Sequence, residues 1–184
     1  MRSSRLSAWL APLVLFGAVA VEPGSARAEV RSYTLAVAGL GCAFRAFGLE
    51  RELYALDGVR RVTLQLAEGR VAVELTPEAT VMPAAIEERV RAAGLVLEDM
   101  EATALGTVRG AGREARLLLG GNRVFRLLPG DASAALGALV TAGKRSVEVS
   151  GAVRRHGDGW GLDVVTVREP DEGGGCSGRA GGGC

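Results

Sequence analysis

Histidine and aromatic residues are nearly missing from this chain. One histidine, His156, stands in 184 residues, and aromatics make up 4%. A lone histidine with no nucleophile beside it builds no hydrolytic or acid–base constellation, so an enzyme is not expected. So few aromatics offer no stacking platform, and nucleic acid is disfavoured as a partner. A formal net charge of +1 adds no global field toward polyanions. Methionine beyond the first residue is limited to Met82 and Met100. Only three cysteines occur, Cys42, Cys176 and Cys184. An odd count in an oxidising compartment leaves at least one thiol without a partner in the monomer.

Long apolar runs are also scarce. The one that exists, Leu6 to Val21, follows the basic MRSSR and precedes SARAE, with Ala26 and Ala28 at small-residue positions. Basic, apolar and small-residue regions in that order are a secretory leader. Its 16-residue core is short against the roughly 20 residues of a membrane span. Cleavage after Ala28 is expected, with 1–28 as signal peptide. The mature chain then has no membrane span and is periplasmic or secreted, in the bacterial style of export.

What is present is patterned. Ser32–Ala38 alternates like a strand, with Tyr33, Leu35 and Val37 on one face. A helix from about Cys42 carries Leu49, Leu53 and Leu56 as one stripe, and Asp57-Gly58 ends it. Val62, Leu64 and Leu66 alternate, Glu68-Gly69 turns, and Val71, Val73 and Leu75 alternate back. Pro83 suits a first helical turn, Ile86, Val90 and Ala93 make an inner face, and Gly94 caps it. Leu95–Thr103 reads as a closing strand. The order βαββαβ is the split, ferredoxin-like arrangement.

These residues resemble a known family. Gly39-Leu40-Gly41-Cys42, then Leu49, Leu53, Leu56-Asp57-Gly58-Val59 and Ala93-Gly94, are similar to the heavy-metal-associated domain, over about residues 31–103, within a domain taken as 29–103. The resemblance implies soft or borderline metal handling, as a soluble carrier or a transporter domain, by a loop G-M-x-C-x-x-C whose two cysteines bind the ion. Here Cys42 stands in the first cysteine position, Arg45 in the second, and Leu40 replaces the methionine. A guanidinium has five donors and no acceptor, so Arg45 is no ligand. It lies one turn beyond Cys42, at a helix start with free N–H groups. Both features favour thiolate over thiol at Cys42.

Residues 104–168 give a second pattern. TALGTVRG is strand-like, with Gly106 at a bend or bulge. EARLLL and RVFRLL flank Gly120-Gly121-Asn122. DASAALGALVTAG is a helix capped by Asp131 or Ser133, striped by Leu136, Leu139 and Val140, and ended by Gly143. Two alternating strands then flank a turn from His156 to Gly159. The order βββαββ is that of a small OB-like barrel, making the whole chain α+β. Residues 29–103 hold 8 basic and 12 acidic residues, and 104–168 hold 10 and 5. The basic set (Arg109, Arg113, Arg116, Arg123, Arg126, Arg154, Arg155) is read as a solvated face or a complement to the acidic first region. His156 with Trp160 makes a poor copper site, because no methionine lies in that region.

Residues 169–184 are Gly-rich and expected to be disordered. They carry Cys176 and Cys184, which offer thiolates to pair with each other or to join Cys42. The expected function is binding of a soft ion, copper(I), mercury(II) or silver(I), through Cys42 with help from Cys176 and Cys184. The partner is then a metal-transport or metal-donor protein. The alternatives are a non-metal-binding interaction or scaffold protein, and thiol–disulfide chemistry with Cys42 attacking.

Overall fold

The computed structural model describes residues 28–170. The leader up to residue 27 and the tail with Cys176 and Cys184 lie outside the described residues. Strand β1 (Glu29–Ala38) runs into helix α1 (Ala43–Tyr54). Strands β2 (Val59–Gln65) and β3 (Arg70–Leu75) form the hairpin, helix α2 (Pro83–Ala92) follows, and β4 (Val96–Arg109) closes the sheet. The order β2-β3-β1-β4 is antiparallel throughout, as the split pattern requires.

The sequence reasons for these elements hold locally. Ala46, Leu49 and Leu53 are the buried stripe of α1. Pro83 opens α2, and Gly94 follows it at φ +70°, a left-handed terminus that glycine adopts without a Cβ clash. Leu66 departs from expectation. It begins a short 3-10 turn and is exposed rather than continuing the β2 face.

β4 does not stop at residue 103. Its residues 96–105 pair with β1 on one edge, while 101–107 pair on the other edge with β7 (Ser146–His156). Gly106, expected at a bend or bulge, stays in the ladder opposite Val147. What it supplies is clearance, because a Cβ there would meet the Leu118 carbonyl oxygen at 2.6 Å.

Beyond β4 come β5 (Arg116–Leu118), β6 (Val124–Leu128), helix α3 (Ser133–Thr141), β7 and β8 (Gly159–Arg168). They close a five-stranded ring in the order β4-β5-β6-β8-β7 and back to β4. The β6–β8 contact is parallel, the others antiparallel. α3 is capped differently from the expectation: its N-cap is Ala132, without a side-chain bond. Ser133 instead accepts from the Gly130 N–H and donates to the Gly130 carbonyl, both at 2.7 Å.

One hydrophobic cluster joins Tyr33, Leu49 and Ile86 under the first sheet to Phe125, Val149 and Leu162 inside the ring. Charge stitches the two halves together at the rim. Arg154 reaches Asp99 at 2.8 Å, and Arg155 reaches Glu87 at 2.9 Å. Arg31 on β1 pairs with Glu148 on β7. Arg123 donates to the Ala79 carbonyl at 2.9 Å. Two of the seven arginines of the basic set, Arg154 and Arg155, thus pair with acidic residues of the first half.

Candidate metal site

Cys42 stands where β1 hands over to α1. Gly39 turns the chain at φ +85°, and Leu40 is driven into the core at 1% exposure. That burial makes Leu40 a core-packing residue. Cys42 is then the N-cap of α1, in extended backbone (φ −86°, ψ 112°), and its carbonyl accepts the Ala46 N–H at 3.0 Å. Its side chain is exposed.

The thiol makes no formal capping hydrogen bond, but it faces free helix-start N–H groups. Those of Arg45 and then Phe44 hold its pKa below the usual thiol value, and the Arg45 guanidinium adds to the effect. Desolvation opposes them, by more than the guanidinium adds. The lowered direction matches the expectation from helix start and charge. The Arg45 side chain folds back over the loop, with Nη1 3.6 Å from where a Gly39 Cβ would stand.

Two neighbours escaped the sequence reading. Phe44 and Phe47 are 85% and 66% exposed. With Arg45, Gly48 and Arg51 they line a shallow groove beside the cysteine. The signal was available, since neither phenylalanine falls on the Ala46–Leu49–Leu53 stripe.

Ligand supply at the loop is thin. Among the described residues, no group of three or more His, Cys, Asp or Glu is arranged to hold a metal ion. Cys42 therefore offers a single soft donor there. The His156–Trp160 pair does not assemble either. His156 is exposed beside the β7–β8 turn, and the Trp160 ring is covered by the Arg155 guanidinium, 4.5 Å from its centroid.

Comparison with known proteins agrees on the first half. The heavy-metal-associated domain family matches residues 34–95. Among solved structures, a copper-binding domain from HMA7, a P-type ATPase, is 28% identical, covering 37% of this chain and 90% of that one, with a TM-score of 0.34. The yeast copper transporter domain Ccc2a, solved in apo and Cu(I)-loaded states, is also 28% identical, covering 37% and 92%, with a TM-score of 0.33. A ZiaAN mutant domain is 34% identical, covering 37% and 94%, with a TM-score of 0.33. No curated protein matches. The family match makes residues 34–95 of this chain a heavy-metal-associated domain.

Proposed function

We propose that this chain is an exported metal-handling protein that holds a soft ion, with copper(I) as the leading candidate, through the Cys42 thiolate. The second thiolate comes from outside the loop. The observation that carries this reading is the exposed N-cap cysteine, biased toward thiolate, on a heavy-metal-associated scaffold. A soft thiolate selects such ions over magnesium or calcium.

Strand register bears on which tail cysteine serves. Ala38, just before the loop, pairs with Val96, whereas Arg168 lies across Glu148 from Leu105. Nine steps of β4 separate those two ends, about 30 Å. Cys176, eight residues past Arg168, reaches at most roughly 29 Å when fully stretched. Cys184, sixteen residues past it, reaches roughly 53 Å. Within one chain, Cys184 is the partner the distances favour. A metal-donor or metal-transport protein, or a second copy, is the alternative source.

The same reading takes the ring as an OB-like barrel. The order β4-β5-β6-β8-β7, the parallel β6–β8 contact and the helix after its third strand support that assignment. Arg45 favours a second function, a scaffold that no longer binds metal, because a fixed cation opposes a bound one.

Anaerobic copper(I) titration of the protein against Cys42→Ser, Cys176→Ser and Cys184→Ser decides. The expected result is loss of tight binding in Cys42→Ser and weakening in Cys184→Ser. Equal uptake by the protein and Cys42→Ser refutes the site. Absence of uptake by any form gives the scaffold reading its support.

A further inference from the structure

We propose that the end of the barrel beneath α3 binds a small free amphiphile, one aliphatic chain with a single anionic head, whose chain enters an apolar pocket and whose head meets Arg113. The pocket holds about 350 Å³, roughly a dozen water volumes and within the range of small-molecule sites. Its walls include Val108, Ala115 and Leu127 from the strands, and Leu136 and Val140 from α3.

The helix above it is only partly covered. α3 reads SAALGALVT; Leu136 is buried, and Leu139 and Val140 are half-buried against the core. A helix apolar on most sides needs cover for more than one side chain. Gly112 and Gly137, both exposed, line the pocket mouth, and a Cβ at either meets nothing within 4 Å.

Charge at the mouth selects the occupant. Arg113 lines the pocket from the exposed loop between β4 and β5, and it makes no ion pair or hydrogen bond among the described residues. The polar groups near the walls are already engaged. Ser133 is bonded to Gly130, and Thr141 donates to the Gly137 carbonyl at 2.8 Å. An apolar body with one anionic head satisfies both the walls and the free guanidinium. A wholly apolar ligand leaves that guanidinium unused, and a polyanion finds no second cation among the lining residues.

The test is NMR titration of the full chain with hexanoate, octanoate and decanoate below micelle formation. Decanol and vesicles of anionic phospholipid are parallel arms. One saturable site is expected, shifting Val108, Ala115, Leu127 and Leu136, and tightening by about fourfold per methylene. Arg113→Gln, on an exposed loop, should weaken decanoate by about tenfold and leave decanol unchanged. Gly137→Leu fills the space while improving helix propensity, so it should fold and lose decanoate. Several results overturn the proposal: no saturation with decanoate, decanol binding as tightly as decanoate, or Gly137→Leu binding like the unaltered protein. Response to vesicles alone does so too, by assigning the site to a membrane surface. Pocket resonances that move with protein concentration alone do so by assigning it to a second copy.

Discussion

Replacing Arg45 by cysteine puts a second thiolate one turn from Cys42, and electrostatics and tethering set the size of the effect. Residues three apart on a helix have Cβ atoms about 5–6 Å apart. Two metal–sulfur bonds of about 2.3 Å span a sulfur–sulfur gap of up to about 4.6 Å, so the two thiolates meet on one ion with a small rotamer change. Arg45 sits at the first turn, exposed, with its guanidinium folded over Gly39. At 5 Å in water, each unit charge changes the affinity for a monovalent cation by about fourfold. Exchanging a cation for an anion changes two units, about 16-fold. Chelation adds to this, since the second donor is already tethered; the sum is about 10²–10⁴. Arg45→Ala, which removes the charge without adding a ligand, should gain only the single fourfold step. The assay is anaerobic competition with a chromophoric copper(I) chelator, run on the protein and both variants. Equal affinity for the protein and Arg45→Cys refutes the loop as a metal site. A gain in Arg45→Ala matching that in Arg45→Cys shows that charge, not ligation, governs it.

The thiol itself gives a pH signature. A lowered pKa means more thiolate at a given pH, so alkylation of Cys42 by iodoacetamide should rise at lower pH than in a model peptide. Arg45→Ala should move that midpoint only part of the way back, because the helix-start N–H groups outrank the guanidinium; a midpoint at or above the peptide's refutes the electrostatic account. Arg155→Ala removes an exposed ion pair with Glu87 and the cover of Trp160, about 1 kcal/mol together after solvent screening. Thermal melting should fall by about 2–4 °C, and an unchanged melt removes the rim contacts from the stability account. Gly151→Ala drives a Cβ to within 1.7 Å of the Asp163 carbonyl oxygen, so denaturant unfolding should show a loss of about 3 kcal/mol or more. Gly137→Ala, with open space around it, should instead gain up to about 1 kcal/mol; losses of equal size would show that the β7–β8 approach is not close.

The parts of this molecule that one sequence made visible are those governed by local rules. Helical spacing marked Leu49 and Leu53, a proline and a glycine bounded α2, and period-two alternation marked β7 and β8. Each depends on residues close in the chain, so each can be read there. The misses arise where distant residues decide. The continuity of β4 past residue 103 depends on β7 arriving on its free edge, which no local pattern announces. Ala132 rather than Asp131 or Ser133 caps α3 because Ser133 is taken by the Gly130 backbone. Leu66 leaves the strand because the chain must turn to place Gly69 at φ +63°. At the site, Cys42 and its thiolate bias were legible from helix start and charge. The exposure of Phe44 and Phe47 was legible in principle, from the stripe they miss. The pocket under α3 was not, because it is made by three segments, 108–115, 127–129 and 133–141, that meet only in the folded chain.

The sharing of β4 constrains how the two halves can work together. Residues 101–105 of β4 are bonded on both edges, to β1 and to β7. Rotating the barrel against the first half would break one of those ladders and expose strand edges that are costly to leave unpaired. The ion pairs from Arg154 and Arg155 hold the same orientation from the rim. The barrel is therefore a rigid extension of the metal-loop domain, not a tethered neighbour. A rigid body fixes the separation between Cys42 and the point where the chain leaves β8. That separation decides whether a tail thiolate closes the site within one chain, and it cannot be shortened by domain motion. If Cys176→Ser and Cys184→Ser both leave copper(I) affinity unchanged while Cys42→Ser abolishes it, the second donor must come from another molecule. Uptake should then depend on protein or donor concentration, which dilution at fixed metal ratio reads directly.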